Sequence, residues 1–232
     1  MSVMKRWARL TWPGGFKVGR RDNLLWLLNY RNYVDRQLGL FGGWEPQQLA
    51  YLLERMRPGC DGFLDIGANF GLYALRVAQS GLASEIHAFE PDPRNYAQLG
   101  GNLYMNRQIG KVHAHPLALS DACGPLAFTL SPENWTGMSR VVDAEDANVT
   151  VAGSTLDQEF RWSGKRLMLK IDVEGHEIRV VRGGERLLRN NSCFIQVEAW
   201  PQNAQALKDE FQRQGYRLIH QIEDDLYFAN RT

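Results

Sequence analysis

A glycine-containing stretch of the sequence has the residue types to hold a small ligand. It runs over Gly62–Gly71, GFLDIGANFG, in which the apolar pair Phe63 and Leu64 leads into an acid, Asp65. Apolar residues recur at helical spacing after Gly71, so the pattern predicts a buried strand, a tight turn and a helix. The N-terminus of such a helix directs free N–H groups at whatever lies above the turn.

A second acid follows the next predicted strand, Glu85–Phe89, which ends in Glu90 and is terminated by Pro91. An acid in this position binds ribose hydroxyls in doubly wound α/β folds. The dinucleotide fingerprint G-x-G-x-x-G has no side chain at its middle position, whereas the order here is D-x-G-x-N-x-G. Asp65 would repel a phosphate, and it suits a cofactor that carries an ammonium and a sulfonium instead.

Three motifs, LDIGANFG, AFEPDP and LKIDVEGHE, follow one another in the chain. Together they resemble the FkbM-type family of S-adenosylmethionine (AdoMet) methyltransferases, over a region from about Gly43 to Glu198. The resemblance implies a Rossmann-like class I methyltransferase fold, which is an α/β fold with a mostly parallel, doubly wound sheet. It also implies AdoMet as cofactor and a hydroxyl of a saccharide, glycan or secondary metabolite as acceptor.

The resemblance implies roles for individual residues. Glu90 is expected to bind the two ribose hydroxyls of AdoMet, and Asp65 its amino-acid end. The turn completes the cofactor site with four residues: Gly67, Ala68, Asn69 and Gly71. Related enzymes hold the adenine after the third strand, which here corresponds to Ser120 and Asp121, although these residue types are equally typical of a turn.

Ligands of open parallel sheets bind outside the carboxyl ends of the strands. This rule places five acids at one edge of the predicted sheet: Asp65, Glu90, Asp172, Glu174 and Glu198. Methyl transfer to an alcohol requires an aligned nucleophile and a proton acceptor. The candidates for the base are Asp172, Glu174 and His176.

A metal ion is an alternative to a simple base. Asp172, Glu174 and Glu198 could hold a divalent ion that acidifies the hydroxyl, although we do not favour this, because spacing alone fixes no ligand geometry. Lys170 shares a strand face with Asp172 and is a candidate ion-pair partner for it.

The chain before the sheet is predicted to form a basic arm and a helical cap over residues 1–58, with the methyltransferase domain over 59–232. The apolar spacing predicts one helix over residues 23–38 and a second that begins at Glu45-Pro46 and ends at Pro58-Gly59. In the resembling family this segment lies over the cofactor pocket. Glu45 is therefore a candidate acceptor contact, as well as a residue that suits the first turn of a helix.

The remaining elements follow from periodicity and punctuation. Residues 125–153 are the least clear, with a short strand at 126–130 and a polar loop, PENWTGM. Trp135 in this loop is, like Glu45 and like Glu198 at the acidic edge, a candidate for acceptor binding. The other predicted elements are a helix over 93–105 capped by Asp92, strands over 111–119 (interrupted by Pro116), 167–172 and 193–197, a helix over 204–213, and an antiparallel C-terminal hairpin over 216–222 and 226–229.

Composition limits the choice of partners. The 232 residues carry a net charge of +1, so no overall field would recruit nucleic acid. Residues 1–21 nevertheless contain six basic side chains before the first acid, Asp22; this arm either contacts an acidic glycan, lipid head group or phosphorylated carrier, or is simply solvated. The sequence contains neither a signal peptide nor an apolar segment of ~20 residues, which predicts a cytoplasmic protein without an integral membrane segment.

Each alternative function would require different sequence features. An N-methyltransferase on the same scaffold is the nearest alternative. A non-catalytic interaction protein would be expected to lack Asp65, Glu90 or the 172–175 run, all of which are present. A nicotinamide dehydrogenase would need the middle glycine and a Tyr-x-x-x-Lys pair.

Overall fold

The computed structural model describes residues 15–230. Its strands, numbered along the chain, are β1 (Phe16–Arg21), β2 (Leu24–Asn29), β3 (Cys60–Ile66), β4 (Ala83–Phe89), β5 (Val112–His115), β6 (Ala118–Leu119), β7 (Gly124–Thr129), β8 (Arg140–Val141), β9 (Val149–Ser154), β10 (Arg166–Ile171), β11 (Ser192–Glu198), β12 (Arg217–Ile222) and β13 (Asp225–Ala229). The α-helices are α1 (Tyr33–Arg36), α2 (Pro46–Met56), α3 (Leu72–Ser80), α4 (Pro93–Met105), α5 (Leu156–Glu159), α6 (Glu177–Arg182), α7 (Glu185–Asn190) and α8 (Ala204–Arg213).

The central sheet has the order β12-β13-β11-β10-β3-β4-β5 within the described residues. Strands β3, β4, β5, β10 and β11 pair in parallel, and the terminal hairpin of β12 and β13 adds to β11 in antiparallel fashion. The strand order reverses between β3 and β10, which makes that junction the topological switch point. The predicted α/β fold with a C-terminal antiparallel hairpin is therefore confirmed.

Two apolar layers cover the two faces of this sheet. One layer joins Phe63 and Ala74 to residues of the N-terminal segment, among them Trp26 and Leu52. The other contains Leu64 and Leu169 together with the helices that follow β10. The N-terminal segment thus packs into the same core as β3, and the division of the chain at residue 58 stays a prediction.

The predicted helix over 23–38 is wrong. Asp22 and Asn23 both adopt left-handed φ angles, 51° and 62°, and join β1 to β2 as a two-residue hairpin turn in which Arg21 pairs with Leu24. Positive φ at both central positions is the signature of a type I′ turn, which fits the twist of antiparallel strands. The helical cap is consequently shorter than expected: after the hairpin it comprises α1, a π-helical turn at Gln37–Phe41, and α2.

Most other elements agree with the predictions. Helix α2 begins with Pro46 in its first turn, and α4 is capped by Asp92, whose side chain accepts a hydrogen bond from the N–H of Arg94 at 2.9 Å. Helix α8 has the predicted bounds. Pro116 separates β5, which is an edge strand of the central sheet, from β6, which belongs to another sheet.

That smaller sheet has the order β6-β9-β7-β8, and all of its strands except β6 fall largely in residues 125–153, the region that the sequence left least clear. Only the β7 strand was expected there. The PENWTGM segment that precedes β8 is a 3₁₀ helix, Glu133–Met138, which we call the 133–138 segment. Asn95 on α4 donates a hydrogen bond to the carbonyl oxygen of Thr136, and the side chain of Asn32 also bonds to Thr136, so the segment is held against both α4 and the N-terminal cap.

The basic residues of the arm up to position 14 lie outside the described part of the chain, whereas Lys17, Arg20 and Arg21 belong to β1. No helix within residues 15–230 has the length and apolarity required to cross a bilayer.

The turn after β3 passes very close to the end of β10. A Cβ atom at Gly67, where φ is +84°, would lie 1.8 Å from the carbonyl oxygen of Asp172. The N–H groups of Gly67 and Ala68 both donate to the carbonyl oxygen of Phe89, at 3.0 and 2.9 Å. The absence of a side chain at Gly67 therefore allows the ends of β3, β4 and β10 to meet.

We expect Gly67→Ala to lower the free energy of unfolding by more than about 3 kcal/mol, because a steric clash with backbone adds to the cost of a left-handed alanine. Gly164→Ala is the matched control, since φ there is +69° and no atom lies within 4 Å of the added Cβ. The control should lose only the roughly 1–2 kcal/mol of the left-handed conformation. Urea denaturation measures both, and equal losses would contradict the close approach.

Candidate active site

Two cavities open at the carboxyl ends of the parallel strands and meet at the switch point. The Glu90 cavity lies beside the end of β4 and is walled by Phe89, Leu117 and Phe128. The Lys170 cavity lies between β10, α3 and the N-terminal cap. Within the described chain, the residues that line both are Gly67, Asn69, Gly137, Asp172 and Glu174.

The structure brings most of the predicted site residues to these cavities. The Glu90 cavity is lined by Gly67, Asn69, Glu90, Asp172, Glu174 and His176. The Lys170 cavity is lined by Glu45, Asp65, Gly67, Ala68, Asn69, Trp135, Asp172, Glu174 and Glu198. The sequence rule that gathers acids at one edge of a parallel sheet thus identified side chains that do lie together.

Three of the predicted cofactor residues line neither cavity. Gly71 is the N-cap of α3, and a side chain there would collide with Leu99, so the glycine serves helix packing. The hydroxyl of Ser120 lies 2.9 Å from Nε2 of His176, and Asp121 forms an ion pair with Arg179 at 3.4 Å. Ser120 and Asp121 therefore reach the Glu90 cavity only through their neighbours, while Leu117, Ala118 and Leu119 line it directly.

Glu90 is held by backbone. Its Oε2 accepts a hydrogen bond from the N–H of Asn69 at 2.7 Å, and its Oε1 accepts one from the N–H of Asp92 at 2.8 Å. Burial raises the pKa of this carboxyl to about 8, although both hydrogen bonds oppose the shift. Each oxygen retains a lone pair, so the two can accept further hydrogen bonds from a diol.

The turn that carries Asn69 has features of a ligand site. Asn69 adopts a left-handed φ of 51°, and its Oδ1 is buried without a hydrogen-bond partner among the described residues. A buried, unpaired amide oxygen costs free energy unless a ligand or water supplies a donor. The lone acceptor, the two lone pairs of Glu90 and the side-chain-free Gly67 therefore fit a ligand with hydroxyl and ammonium donors.

Asp65 has a structural contact as well as a cavity position. Its Oδ2 accepts a hydrogen bond from the N–H of Ala74 at 2.9 Å, so one of the free donors in the first turns of α3 is already used. Burial raises the pKa of Asp65 to about 6, against the opposing effects of Lys170 and the Ala74 N–H. One carboxylate oxygen is held in place, and the other is left for a cation in the cavity.

Lys170 lies at the centre of the acidic edge. Its Nζ lies 2.7 Å from Oδ2 of Asp172, 3.8 Å from Oε2 of Glu45 and 4.6 Å from the centre of the Tyr73 ring. The predicted ion pair with Asp172 is confirmed. Burial alone would lower the pKa of Lys170, but the carboxylates of Asp172 and Glu45 outweigh it and hold the pKa well above its usual value. Lys170 is thus a permanent cation.

A chain of hydrogen bonds extends this charge cluster into the sheet. The hydroxyl of Tyr73 donates to Glu45 at 2.7 Å, and Gln196 donates to the oxygens of both Tyr73 and Asp225, at 3.0 and 2.8 Å. Lys170, Gln196 and Asp225 belong to β10, β11 and β13. The cavity floor is therefore connected across three neighbouring strands, although it is assembled from residues far apart in the sequence.

The two remaining acids of the Lys170 cavity, Glu198 and Glu174, have pKa values raised to neutrality or above. The Asp172 carboxylate and then burial raise the pKa of Glu198 to about 9. Burial and then Asp172 raise the pKa of Glu174 to about 7, while its carboxylate accepts a hydrogen bond from Nε1 of Trp200 at 3.3 Å. Glu174 also adopts a left-handed φ of 56°, and a strained backbone of this kind often marks a functional position.

His176 differs from the other two base candidates. It lines the Glu90 cavity but not the Lys170 cavity, and burial lowers its pKa to about 4. A histidine with so low a pKa is neutral near pH 7 and accepts a proton only weakly. Asp172 and Glu174, by contrast, lie where the cavities join.

Aromatic side chains that the sequence argument missed form one wall of the Lys170 cavity. Tyr33, Trp44 and Trp200 join the predicted Trp135 there. Trp135 stacks on Tyr33 with ring centres 5.0 Å apart, and Tyr33 meets Trp44 edge-on at 5.7 Å. These residues come from four separate segments, and nothing in their local sequence indicates that they converge.

Among residues 15–230, the acids that come close enough to share a metal ion are not the predicted set. Glu45, Asp172 and Glu198 offer oxygen atoms that all lie within 4.8 Å of one another, whereas the sequence suggested Asp172, Glu174 and Glu198. The ammonium of Lys170 already lies beside two of these carboxylates. The positive charge that a metal would bring is therefore partly supplied by the chain itself.

Comparison with known proteins identifies the family. Residues 65–218 match the methyltransferase FkbM domain. The chain belongs to this family. The FkbM domain match spans the Gly67 turn, Glu90 and all of β10.

Two curated relatives share this domain. The hexuronic acid methyltransferase AglP of Haloferax volcanii is 28% identical over 137 residues, which cover 58% of this chain and 55% of that protein. The 31-O-demethyl-FK506 methyltransferase FkbM of Streptomyces tacrolimicus is 30% identical over 162 residues, or 56% of this chain and 61% of that protein. The chain thus spans little more than half the length of these relatives.

A solved structure supports the fold. The methyltransferase FkbM from Methylobacillus flagellatus KT superposes on 73% of this chain and 43% of its own, with a TM-score of 0.53 and 14% sequence identity. The architecture is therefore shared with a known member of this family.

We expect Glu198→Gln to flatten the pH dependence of stability. An acid whose pKa is raised in the folded state, here from an ordinary 4.5 to about 9, stabilises the fold fully below its unfolded pKa, and this contribution is lost as pH rises through the folded value. The melting temperature of the unsubstituted protein should therefore fall more steeply between pH 5 and 9.5 than that of the variant. Glu133→Gln, which removes a half-exposed acid paired with Arg31, should keep the original slope. Parallel slopes for Glu198→Gln and the unsubstituted protein would show that Glu198 titrates normally.

Proposed function

We propose that this domain transfers a methyl group from AdoMet to a hydroxyl group of a saccharide or secondary metabolite. The observation that carries the proposal is the meeting of two cavities at Asp172 and Glu174, beside the Gly67 turn and above the switch point of a methyltransferase fold. Membership of the FkbM family supports the reaction class. The Streptomyces relative, a 31-O-demethyl-FK506 methyltransferase, supports a hydroxyl acceptor.

In this proposal the two halves of AdoMet bind in different cavities. The Glu90 cavity would take the adenosine half, with Glu90 accepting hydrogen bonds from the ribose hydroxyls and Phe89, Leu117 and Phe128 packing around the base. The amino-acid half would extend over Gly67 and Ala68 toward Asp65, whose free oxygen suits the ammonium. Asn69 contributes the unpaired Oδ1 at the boundary between the halves.

This arrangement gives His176 a different role from the one expected. Since it faces only the Glu90 cavity, it would border the adenosine half together with Ser120, to which it is bonded. We therefore assign it to cofactor positioning rather than to proton transfer. Ser120 would hold His176 through their hydrogen bond, and Asp121 in turn accepts a hydrogen bond from Ser120.

AdoMet supplies a methyl group that its sulfonium has already activated. The chain's contribution is to align the acceptor, exclude water and remove a proton. Asp172 lies where both cavities join, and the ammonium of Lys170 at 2.7 Å holds its carboxylate in place. Asp172 is thus the proposed base, with Glu174 beside it as a second proton acceptor whose pKa of about 7 suits the task.

Replacement of Glu90 tests the cofactor site. Glu90→Ala removes the acceptor of both ribose hydrogen bonds. Each is worth about 1.5–3 kcal/mol when the carboxylate is ionised and about 0.5–1.5 kcal/mol when it is protonated, as it largely is below its pKa of about 8, so AdoMet affinity should fall at least tenfold. Glu85→Ala is the matched control, because Glu85 lies on the same strand with its side chain 55% exposed. Isothermal calorimetry with AdoMet and S-adenosylhomocysteine gives the dissociation constants, and circular dichroism verifies the fold. An unchanged constant for Glu90→Ala would place the ribose elsewhere, and binding of NAD in place of AdoMet would end the methyltransferase proposal.

Replacement of Asp172 tests the proton transfer. Asp172→Asn keeps the size of the side chain but removes its basicity, so AdoMet should still bind while turnover falls by roughly 10² to 10⁴. Chelator should leave the rate of the unsubstituted enzyme unchanged, since Lys170 already neutralises the carboxylates that a metal would need. Loss of the rate with chelator and its recovery with Mg²⁺ or Mn²⁺ would instead support the metal hypothesis. Near-normal turnover of Asp172→Asn in a chelator-insensitive enzyme would favour an acceptor that needs no base, such as an amine.

A further inference from the structure

The aromatic wall of the Lys170 cavity suits one face of a ring. Tyr33 and Trp135 stack with an interplanar angle of 20°, and Trp44 meets Tyr33 at 90°. The three rings are therefore in contact and form one aromatic cluster. Trp135 remains 47% exposed, so its ring is accessible from solvent. Aromatic side chains provide apolar contact area at low cost in conformational entropy, and the C–H face of a sugar ring is an apolar surface of matching size.

The Lys170 cavity also contains hydrogen-bonding groups. Glu45, Asp172, Glu174 and Glu198 all line it, and the oxygens of a carboxyl group can accept hydrogen bonds from neighbouring hydroxyls. A cavity that combines apolar and aromatic side chains with a few polar groups is typical of a small-molecule site. This combination fits a ring that carries several hydroxyl groups.

The charge of the cavity restricts the acceptor further. Among the described residues that line the Lys170 cavity, the single basic side chain is Lys170, and its ammonium already lies 2.7 Å from Asp172 and 3.8 Å from Glu45. An acceptor with a carboxylate or phosphate on its ring would face Asp172 and Glu174 without a cation of its own. Like charges brought together in a partly buried site carry a large penalty.

Arg140 is a basic residue near this boundary. Its guanidinium lies 5.7 Å from the ring centre of Trp200, which lines the Lys170 cavity, while Arg140 itself lines the Glu90 cavity. In the proposed arrangement that cavity is filled by the adenosine half of the cofactor. Arg140 is therefore on the cofactor side of Trp200.

We propose that the acceptor presents an uncharged, hydroxylated ring, such as a neutral hexose unit, to the Lys170 cavity and that the cavity rejects the corresponding uronate. This inference rests on the proposed function and adds the charge class of the acceptor to it. It separates this chain from the Haloferax relative, whose name specifies a hexuronic acid.

Matched pairs of sugars test the inference. Calorimetry first verifies that the full chain binds S-adenosylhomocysteine; failure at this step would count against the proposed function itself. With the protein saturated in that ligand, saturation-transfer NMR then compares the methyl glycosides of glucose, galactose and mannose with those of the corresponding uronic acids. At least one neutral glycoside should bind, at least tenfold more tightly than its uronate at pH 7.5.

Variants test whether Trp135 contributes to binding of the neutral sugar and whether Glu45 contributes to rejection of the uronate. Trp135→Ala should weaken binding of the neutral glycoside at least fivefold, and Glu45→Gln should narrow the discrimination against the uronate, because one negative charge is removed beside Lys170. Glu133→Gln, in the same 133–138 segment but paired with Arg31 outside both cavities, should leave both affinities unchanged. Equal or tighter binding of a uronate would overturn the inference, most directly if Arg140→Gln then abolished it. Binding of no neutral glycoside at millimolar concentration, in a protein that binds S-adenosylhomocysteine, would overturn it equally.

Discussion

The acidic edge of this sheet depends on one buried cation. Carboxylates gathered at the ends of neighbouring strands repel one another, and the raised pKa values of Glu198 and Glu174 record that repulsion together with burial. Lys170 compensates for it from β10, where its aliphatic stem is buried and its ammonium contacts Asp172, Glu45 and the face of Tyr73. Without that ammonium, the pKa values of Glu198, Glu174 and Asp65, each of which Lys170 lowers, would be raised further.

A second constraint is steric and fixes where the two cavities meet. The turn at Gly67 touches the carbonyl group of Asp172, which leaves no room for a side chain between β3 and β10. The same contact brings the cofactor turn and the proposed base into one small volume. The close approach of two backbone segments therefore determines where the site lies. The side chains at that place provide its functional groups.

Local signals in the sequence were sufficient to predict many of the helices, strands and turns. The strand, turn and helix around Gly67, the Asp92 cap with its proline, and the C-terminal hairpin each follow from residues that lie next to one another. The rule for parallel sheets then gathered the acids correctly. The helix expected over 23–38 was wrong because Leu24, Leu27 and Leu28 fit a helical spacing, while the deciding feature was the left-handed pair Asp22 and Asn23.

What the sequence could not give was the convergence of distant segments. The smaller sheet contains two strands of only two residues each, too short for any periodicity. The aromatic wall joins α1, the loop before α2, the 133–138 segment and the chain after β11. The same holds for the contact of Ser120 with His176, which directs both away from the Lys170 cavity. Such contacts depend on packing of whole elements.

The left-handed backbone at Glu45, Asn69 and Glu174 has a practical meaning for protein engineering. Each of these cavity residues has φ between 49° and 56°, a conformation that glycine adopts without the steric cost that a side chain brings. At most positions a change to glycine destabilises the fold, so the effect of losing the functional group cannot be separated from the effect of lower stability. At these three positions glycine relieves strain while it deletes the side chain, and it is therefore a cleaner probe than alanine of what each group contributes.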